Sequence, residues 1–249
     1  MGCGERKRAG NRNPEGRPAG SRLSVRFAPA TIRATGSDTC CRLMEVSLSA
    51  ASSFPPSLTA EIRFWWPNGQ TGVLSAWLEE KGIALSGPRK RTDLYIPTGS
   101  IAVNLKRREG EQLELKTKVQ ERPLVTALTG QQQCEIWVKR QLPGLPICAG
   151  RQLGVRKTRW LACLDRQGER ATDGHGASGC QLELSEVQPE GGQRTWTSFC
   201  LEAFGEVDLL VECLQGVIAK LGDLPCAHER PLVASYAEWL AREDYFDQE

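Results

Sequence analysis

The stretch that decides the fold is Ile101-Ala-Val-Asn-Leu-Lys-Arg-Arg-Glu-Gly-Glu-Gln-Leu-Glu-Leu-Lys-Thr-Lys-Val119. In its first half Ile101, Val103 and Leu105 alternate with Asn104, Lys106 and Arg108. Past the turn Glu109-Gly110-Glu111, Leu113, Leu115 and Val119 alternate with Glu114, Lys116 and Lys118. A period of two is the strand period, so the stretch reads as a β-hairpin with one apolar and one strongly charged face. The same alternation recurs in Glu61-Ile-Arg-Phe-Trp65, Glu135-Ile-Trp-Val-Lys139 and Gln181-Leu-Glu-Leu-Ser185. A charged face shared by many strands predicts a sheet curled around a charged ligand.

Outward from this hairpin, a strand is predicted over Leu58–Trp66, followed by the turn Pro67-Asn68-Gly69. A helix follows over Gly72–Lys81, with Val73, Leu74, Trp77 and Leu78 on one stripe and Gly82 ending it. Further strands are expected near 91–97, 101–108, 112–120, 134–140, 154–164, 180–187 and 195–204. Two terminal helices are expected over Val207–Leu221 and Pro231–Arg242. The folded unit is thus residues 58–249. Residues 1–57 are rich in Arg, Gly, Ser and Pro without an apolar period, which predicts a disordered tail. Other readings stay open for the tail. It has transit-like composition, and Gly2 and Cys3 invite lipidation although Arg6 breaks the myristoylation pattern. Met44 offers a second start, and on that reading the upstream piece is a gene-boundary artefact.

Composition narrows the function. Residues 1–43 hold nine Lys and Arg against three Asp and Glu, leaving 23 against 27 in the remainder, so the folded part is mildly acidic. Bulk-charge binding to genomic DNA is disfavoured. No apolar run approaches the roughly 18 residues of a membrane-spanning helix. The ten cysteines form no C-x-x-C pair and mostly sit singly in apolar runs, as at Cys134, Cys163, Cys200 and Cys213. They read as buried free thiols rather than metal ligands or a disulfide framework. Cytoplasm is the expected compartment, with a plastid or mitochondrion as the alternative. His175 and His228, both in loop-like stretches, offer little to a histidine mechanism.

The polar members of the alternations form a defined set. The cations are Arg63, Arg91, Lys106, Arg108, Lys116, Lys118, Lys139, Lys157 and Arg159. The acids are Glu61, Asp93, Glu114, Glu135, Glu183 and Glu202. Desolvating so many charges is costly unless each is paired or solvated, which predicts a wet, ligand-binding barrel interior. Its natural guest is a polyanion, with carboxylates on one wall for a hard divalent cation and Lys and Arg on the other for phosphate oxygens. The opposite reading puts these charges on a solvated outer face. For Lys157 and Arg159 the register is ambiguous, because Arg156 lies on the opposite face. The tryptophans read as core or wall packing.

In order, the motifs are Arg91-x-Asp-x-Tyr95, Leu105-Lys-Arg-Arg108, Glu114-x-Lys116, Glu135-x-Trp-x-Lys139, Lys157-x-Arg159, Glu183-Leu-Ser185, a strand with Glu202, and Ser235-Tyr-x-x-x-Leu240. This series resembles the CYTH family, the triphosphate tunnel metalloenzymes, over residues 58–242. The resemblance implies an α+β fold: an eight-stranded antiparallel tunnel-like barrel with helices packed outside. It implies a ligand that is a triphosphate-containing small molecule, inorganic polyphosphate or an RNA 5′-triphosphate end, hydrolysed with Mg2+ or Mn2+. On that reading Glu61, Glu183 and Glu202 hold the metal, and Lys106, Arg108, Lys116, Lys139, Lys157 and Arg159 orient phosphates for attack by water. The opening strand departs from the family's Glu-x-Glu-x-Lys and reads Glu61-x-Arg63-x-Trp65, while Ser185 stands where members often carry Asp. The departure leaves a metal site weakened or rebuilt around Glu183 and Glu202. The second expectation is therefore a catalytically impaired phosphate-binding or scaffold protein.

Overall fold

In the computed structural model, the structure describes residues 55–67, 69–108, 113–126, 130–143, 151–170, 178–225 and 229–243. The strands are β1 (Ser57–Pro67), β2 (Ser86–Ile96), β3 (Val103–Arg108), β4 (Leu113–Thr126), β5 (Gly130–Leu142), β6 (Leu153–Leu164), β7 (Gly179–Pro189), β8 (Trp196–Phe204) and the two-residue β9 (Leu232–Val233). The helices are α1 (Thr71–Glu80), α2 (Leu210–Leu221), entered through a 3-10 turn at Val207–Leu209, and α3 (Tyr236–Arg242). The sheet runs β5-β4-β3-β2-β6-β7-β8-β1, and β1 returns to pair with β5. All pairings are antiparallel, from Glu61 opposite Glu202 on one side to Glu61 opposite Glu135 on the other. This is a closed eight-stranded antiparallel barrel with helices outside, an α+β fold. Closure removes the unpaired strand edges that an open sheet of this size would present.

The pleat settles which face is inside. Ala60, Ile62, Phe64 and Trp66 of β1 point outward into a core with Leu182 and Leu184 of β7 and Phe199, Leu201 and Ala203 of β8. Over them lie Leu74, Trp77 and Leu78 of α1 and Leu210, Cys213, Leu214, Val217, Ile218 and Leu221 of α2. Gly82, at φ +75°, ends α1 in the left-handed conformation that glycine adopts without a Cβ penalty. The alternate residues Glu61, Arg63 and Trp65 point into the barrel. The charged faces are therefore enclosed by the wall, and the reading that left them in bulk solvent is overturned.

A second apolar cluster covers one mouth. Trp65, Tyr95, Val155, Val187 and Trp196 sit at the same end of their strands and pack against Tyr236, Trp239 and Leu240 of α3. Trp239 stacks on Trp65 at 4.0 Å between centroids and meets Trp196 edge-on. Aromatic stacking and burial of this area hold α3 across the opening. The Trp65 indole donates to the Ala234 carbonyl at 2.8 Å, and the Ser235 hydroxyl caps α3 by accepting from the Glu238 amide.

Several boundaries differ from the sequence reading. The last helix, expected from Pro231, begins at Tyr236, because Leu232 and Val233 pair with Trp65 and Phe64 along the part of β1 that β5 does not cover. Ser57, assigned to the tail, pairs with Lys139 as the first residue of β1. β4 and β5 run on past the expected ends through pairs such as Leu124 with Gln132, and a register shift between Lys118 and Gln120 re-aims the strand. The turn at 109–111, His175, His228 and residues 1–54 lie outside the described residues. No helix among the described residues is long and apolar enough to cross a membrane.

Candidate functional site: a cationic cavity inside the barrel

Every barrel strand sends a polar side chain into one cavity of about 530 Å³. β1 contributes Glu61 and Arg63, β2 Arg91, β3 Asn104, Lys106 and Arg108, and β4 Glu114 and Lys116. β5 supplies Trp137 and Lys139, β6 Lys157 and Arg159, β7 Gln181 and Glu183, and β8 Glu202. Asp93 lies directly behind this lining, fully buried against Lys157 and Arg91. Eight cations thus face five carboxylates, leaving three positive charges in excess. Arg108, Lys139 and Glu202 are the more accessible, at the mouth away from α3, while Lys157, Lys106 and Arg63 are deep.

Each carboxylate gathers more than one cation or shares one. Glu114 faces Lys139 at 3.0 Å, Lys106 at 3.2 Å and Arg108 at 3.3 Å. Asp93 meets Lys157 at 2.7 Å and Arg91 at 3.1 Å, with Lys106 at 3.9 Å. Lys116 bridges Glu61 at 3.0 Å and Glu202 at 2.9 Å. Arg63 donates from Nε to Glu61 at 3.1 Å, and from Nη1 to Glu183 at 3.3 Å and to the Ser198 hydroxyl at 2.7 Å. Arg159 donates to the other oxygen of Glu183 through both Nε and Nη2. Both donors converge on one carboxylate oxygen, and each is a charge-assisted hydrogen bond.

These pairs decide the protonation states. Burial raises the Glu61 carboxyl, but Lys116 and Arg63 outweigh it and hold the group down to about 2. Burial is likewise overcome at Asp93, Glu114 and Glu183, all held well below the usual carboxylate range by their cations. Burial draws Lys157 and Lys106 downward, against the pull of Asp93 and Glu114. For Lys157 burial dominates and holds the amine well below the usual lysine range, while the 2.7 Å contact with Asp93 and the Tyr236 ring face, 3.7 Å from Nζ, favour its ammonium form.

Of the residues expected to bind phosphate, Arg63, Arg91, Lys106, Arg108, Lys116, Lys139, Lys157 and Arg159 line this cavity. Lys118 does not. It turns to Glu121 at 2.7 Å and Glu135 at 3.0 Å, at the last pair before the register shift in β4. Lys157 and Arg159 both face inward, and Arg156, just before them on the opposite face, is exposed. Glu61, Glu183 and Glu202 all line the cavity, each bonded to cations, and no cluster of three His, Cys, Asp or Glu is placed to hold a metal among the described residues. The expected thiols Cys134, Cys163, Cys200 and Cys213 are free, and burial raises each of them.

Three contributors were not assigned as site residues from sequence. Tyr236 places its ring face 4.6 Å from the Arg63 guanidinium and lines the cavity from α3. Its hydroxyl, and the side-chain oxygen of Asn104 on β3, are buried at the cavity without a hydrogen-bond partner. Ser198 anchors Arg63. Asn104 was visible as a member of the inner alternation with Lys106 and Arg108. Tyr236 was visible as part of a helix and of the terminal Ser235-Tyr-x-x-x-Leu240 motif, with no signal for where that helix docks. The chain matches no protein-family model, and no curated protein matches it.

Proposed function

We propose that this protein binds a triphosphate- or polyphosphate-type anion inside the barrel. The observation that carries the reading is the convergence of eight cationic side chains from six strands on one enclosed cavity with three positive charges in excess. Phosphate oxygens arriving there meet guanidinium and ammonium donors in a low-dielectric pocket, where each contact is stronger than in water. Buried polar atoms without partners, on Tyr236 and Asn104, give such a ligand further hydrogen-bonding sites. The motif order resembling the CYTH family points to the same ligand class, a triphosphate-bearing small molecule or inorganic polyphosphate. The carboxylates expected to hold Mg2+ or Mn2+, Glu61, Glu183 and Glu202, are bonded to Arg63, Arg159 and Lys116. That donor set does not fit a divalent ion, so the function proposed is binding, as in a phosphate-ligand sensor or scaffold.

Calorimetric titration with tripolyphosphate, with orthophosphate and sulfate as comparators, tests the proposal. Tripolyphosphate binding at least tenfold tighter than either comparator is expected. Lys106→Met, which removes a deep cation, is expected to weaken it at least tenfold. No heat and no thermal shift with tripolyphosphate, with or without Mg2+, defeats the reading.

A further inference from the structure

The carboxylates that face one another across the β1–β8–β7 wall are already bridged, and the bridge is a side chain. Arg63 lies between Glu61 on its own strand and Glu183 on β7, bonding the first through Nε and the second through Nη1. Ser198 of the intervening strand accepts from the same Nη1, and the Tyr236 ring packs on the guanidinium face. The side chain is almost fully buried, so this arrangement is built into the wall rather than held by a surface pair. Lys116 completes it by joining Glu61 to Glu202. The place where three acidic side chains would gather a removable cation is therefore filled by two cations that belong to the chain. Arg63 also keeps a donor in reserve: no described residue accepts from its Nη2, and the residue lines the cavity. With Nε and Nη1 committed to protein acceptors, Nη2 is the guanidinium nitrogen left to donate to a phosphate oxygen.

We propose that the barrel takes its polyanion without a divalent cation, with Arg63 as the resident charge that a metal would otherwise supply. This rests on the polyanion reading above and adds a sign to it. A divalent ion entering beside Arg63 and Lys116 meets two fixed positive charges, and its complex with a polyphosphate carries two fewer negative charges than the free anion. A cavity with an excess of positive charge favours the free anion over that complex. A site that needs metal has the opposite preference.

The test is titration of the full chain with tripolyphosphate in EDTA and again in excess Mg2+ or Mn2+. The expected result is binding in EDTA that neither metal tightens by as much as threefold. Binding only with metal, or tightened threefold or more by it, overturns the inference and leaves the polyanion reading standing. No binding under any condition removes both. Arg63→Gln supplies a second readout, with its thermal unfolding recorded to establish that it folds. Its affinity in EDTA is expected to fall at least tenfold and to recover in part with Mg2+, as Glu61 and Glu183 lose their bridge. A folded Arg63→Gln protein that binds in EDTA as tightly as the parent overturns the inference. The comparison on the unaltered chain decides the matter even if the variant fails to fold.

Discussion

At the scale of single residues the cavity is a balance of committed charges, and Glu114 is the point where it is most exposed to mutation. This carboxylate is almost fully buried and holds Lys106, Arg108 and Lys139 together. Glu114→Gln keeps the shape and removes the charge, leaving three cations on one wall with only Asp93, 3.9 Å from Lys106, to offset them. The loss expected in denaturant unfolding is about 3 kcal/mol, the scale for breaking a buried pair on one side. Because the excess of positive charge grows, tripolyphosphate should stabilise this variant by more than it stabilises the parent. Glu61 sets the behaviour in acid. Its carboxyl titrates near 2 in the folded protein against 4.5 ordinarily, so the folded state favours the ionised form. A depressed carboxylate contributes stability that is complete above its unfolded value and is lost as pH falls through the folded one. Unfolding free energy is therefore expected to drop between about pH 4.5 and 2, by roughly 3 kcal/mol for Glu61, following 1.36 kcal/mol per pKa unit. Urea titrations at stepped pH check this. Glu61→Gln should be less stable at neutral pH and should lose less on acidification.

Among the elements, α3 does two things at once: it covers one mouth and supplies Tyr236 to the cavity. Its hold comes from Trp239, fully buried between Trp65 and Trp196. Trp239→Ala is expected to cost about 3–5 kcal/mol, the usual range for a large aromatic removed from a core. It should also weaken tripolyphosphate binding, because Tyr236 loses the packing that holds it over Arg63 and Lys157. Tyr236→Phe separates the effects, since it keeps both ring contacts and removes only the hydroxyl. A much smaller change in stability than for Trp239→Ala is expected by thermal unfolding. The legibility of the chain follows the same division. Strands were readable where alternation had a charged partner, as in β3 and β4, because only one face of such a strand can meet the helices. Which face was enclosed was not readable from one strand and became so only from the number of strands sharing it. β9 and the true start of α3 were hidden because Leu232–Val233 pairs with an edge that β5 leaves open, a tertiary circumstance without local signal. That Lys118 pairs with Glu121 and Glu135 rather than joining the cavity lining has no signal in a period of two, because Lys118 keeps the register of Lys116. The pairing of the acids with Arg63 and Lys116 depends on how eight strands close, which spacing along the chain does not encode.

For the whole molecule, the inward charges invert the usual arrangement of a small domain, whose apolar residues face in and whose charges face water. The apolar layer here lies between barrel and helices, so the core is complete without anything bound in the charged cavity. The site itself remains unbalanced, and that imbalance makes a prediction about the intact protein. Filling the cavity with a polyanion offsets the excess charge on Lys106, Arg108, Lys139 and their neighbours, so binding should be strongly linked to stability. At a ligand concentration 100 times Kd the linkage is about 2.7 kcal/mol, which for a domain of this size is a rise in Tm of roughly 5–10 °C. Added NaCl should reduce this rise by screening the accessible Arg108 and Lys139, while leaving the deeply buried pair of Lys157 with Asp93 little affected. The thermal shift with tripolyphosphate is therefore expected to shrink between 0.05 and 0.5 M NaCl without vanishing. A shift abolished by salt would place the ligand on the outer surface, because only contacts open to solvent are screened so completely.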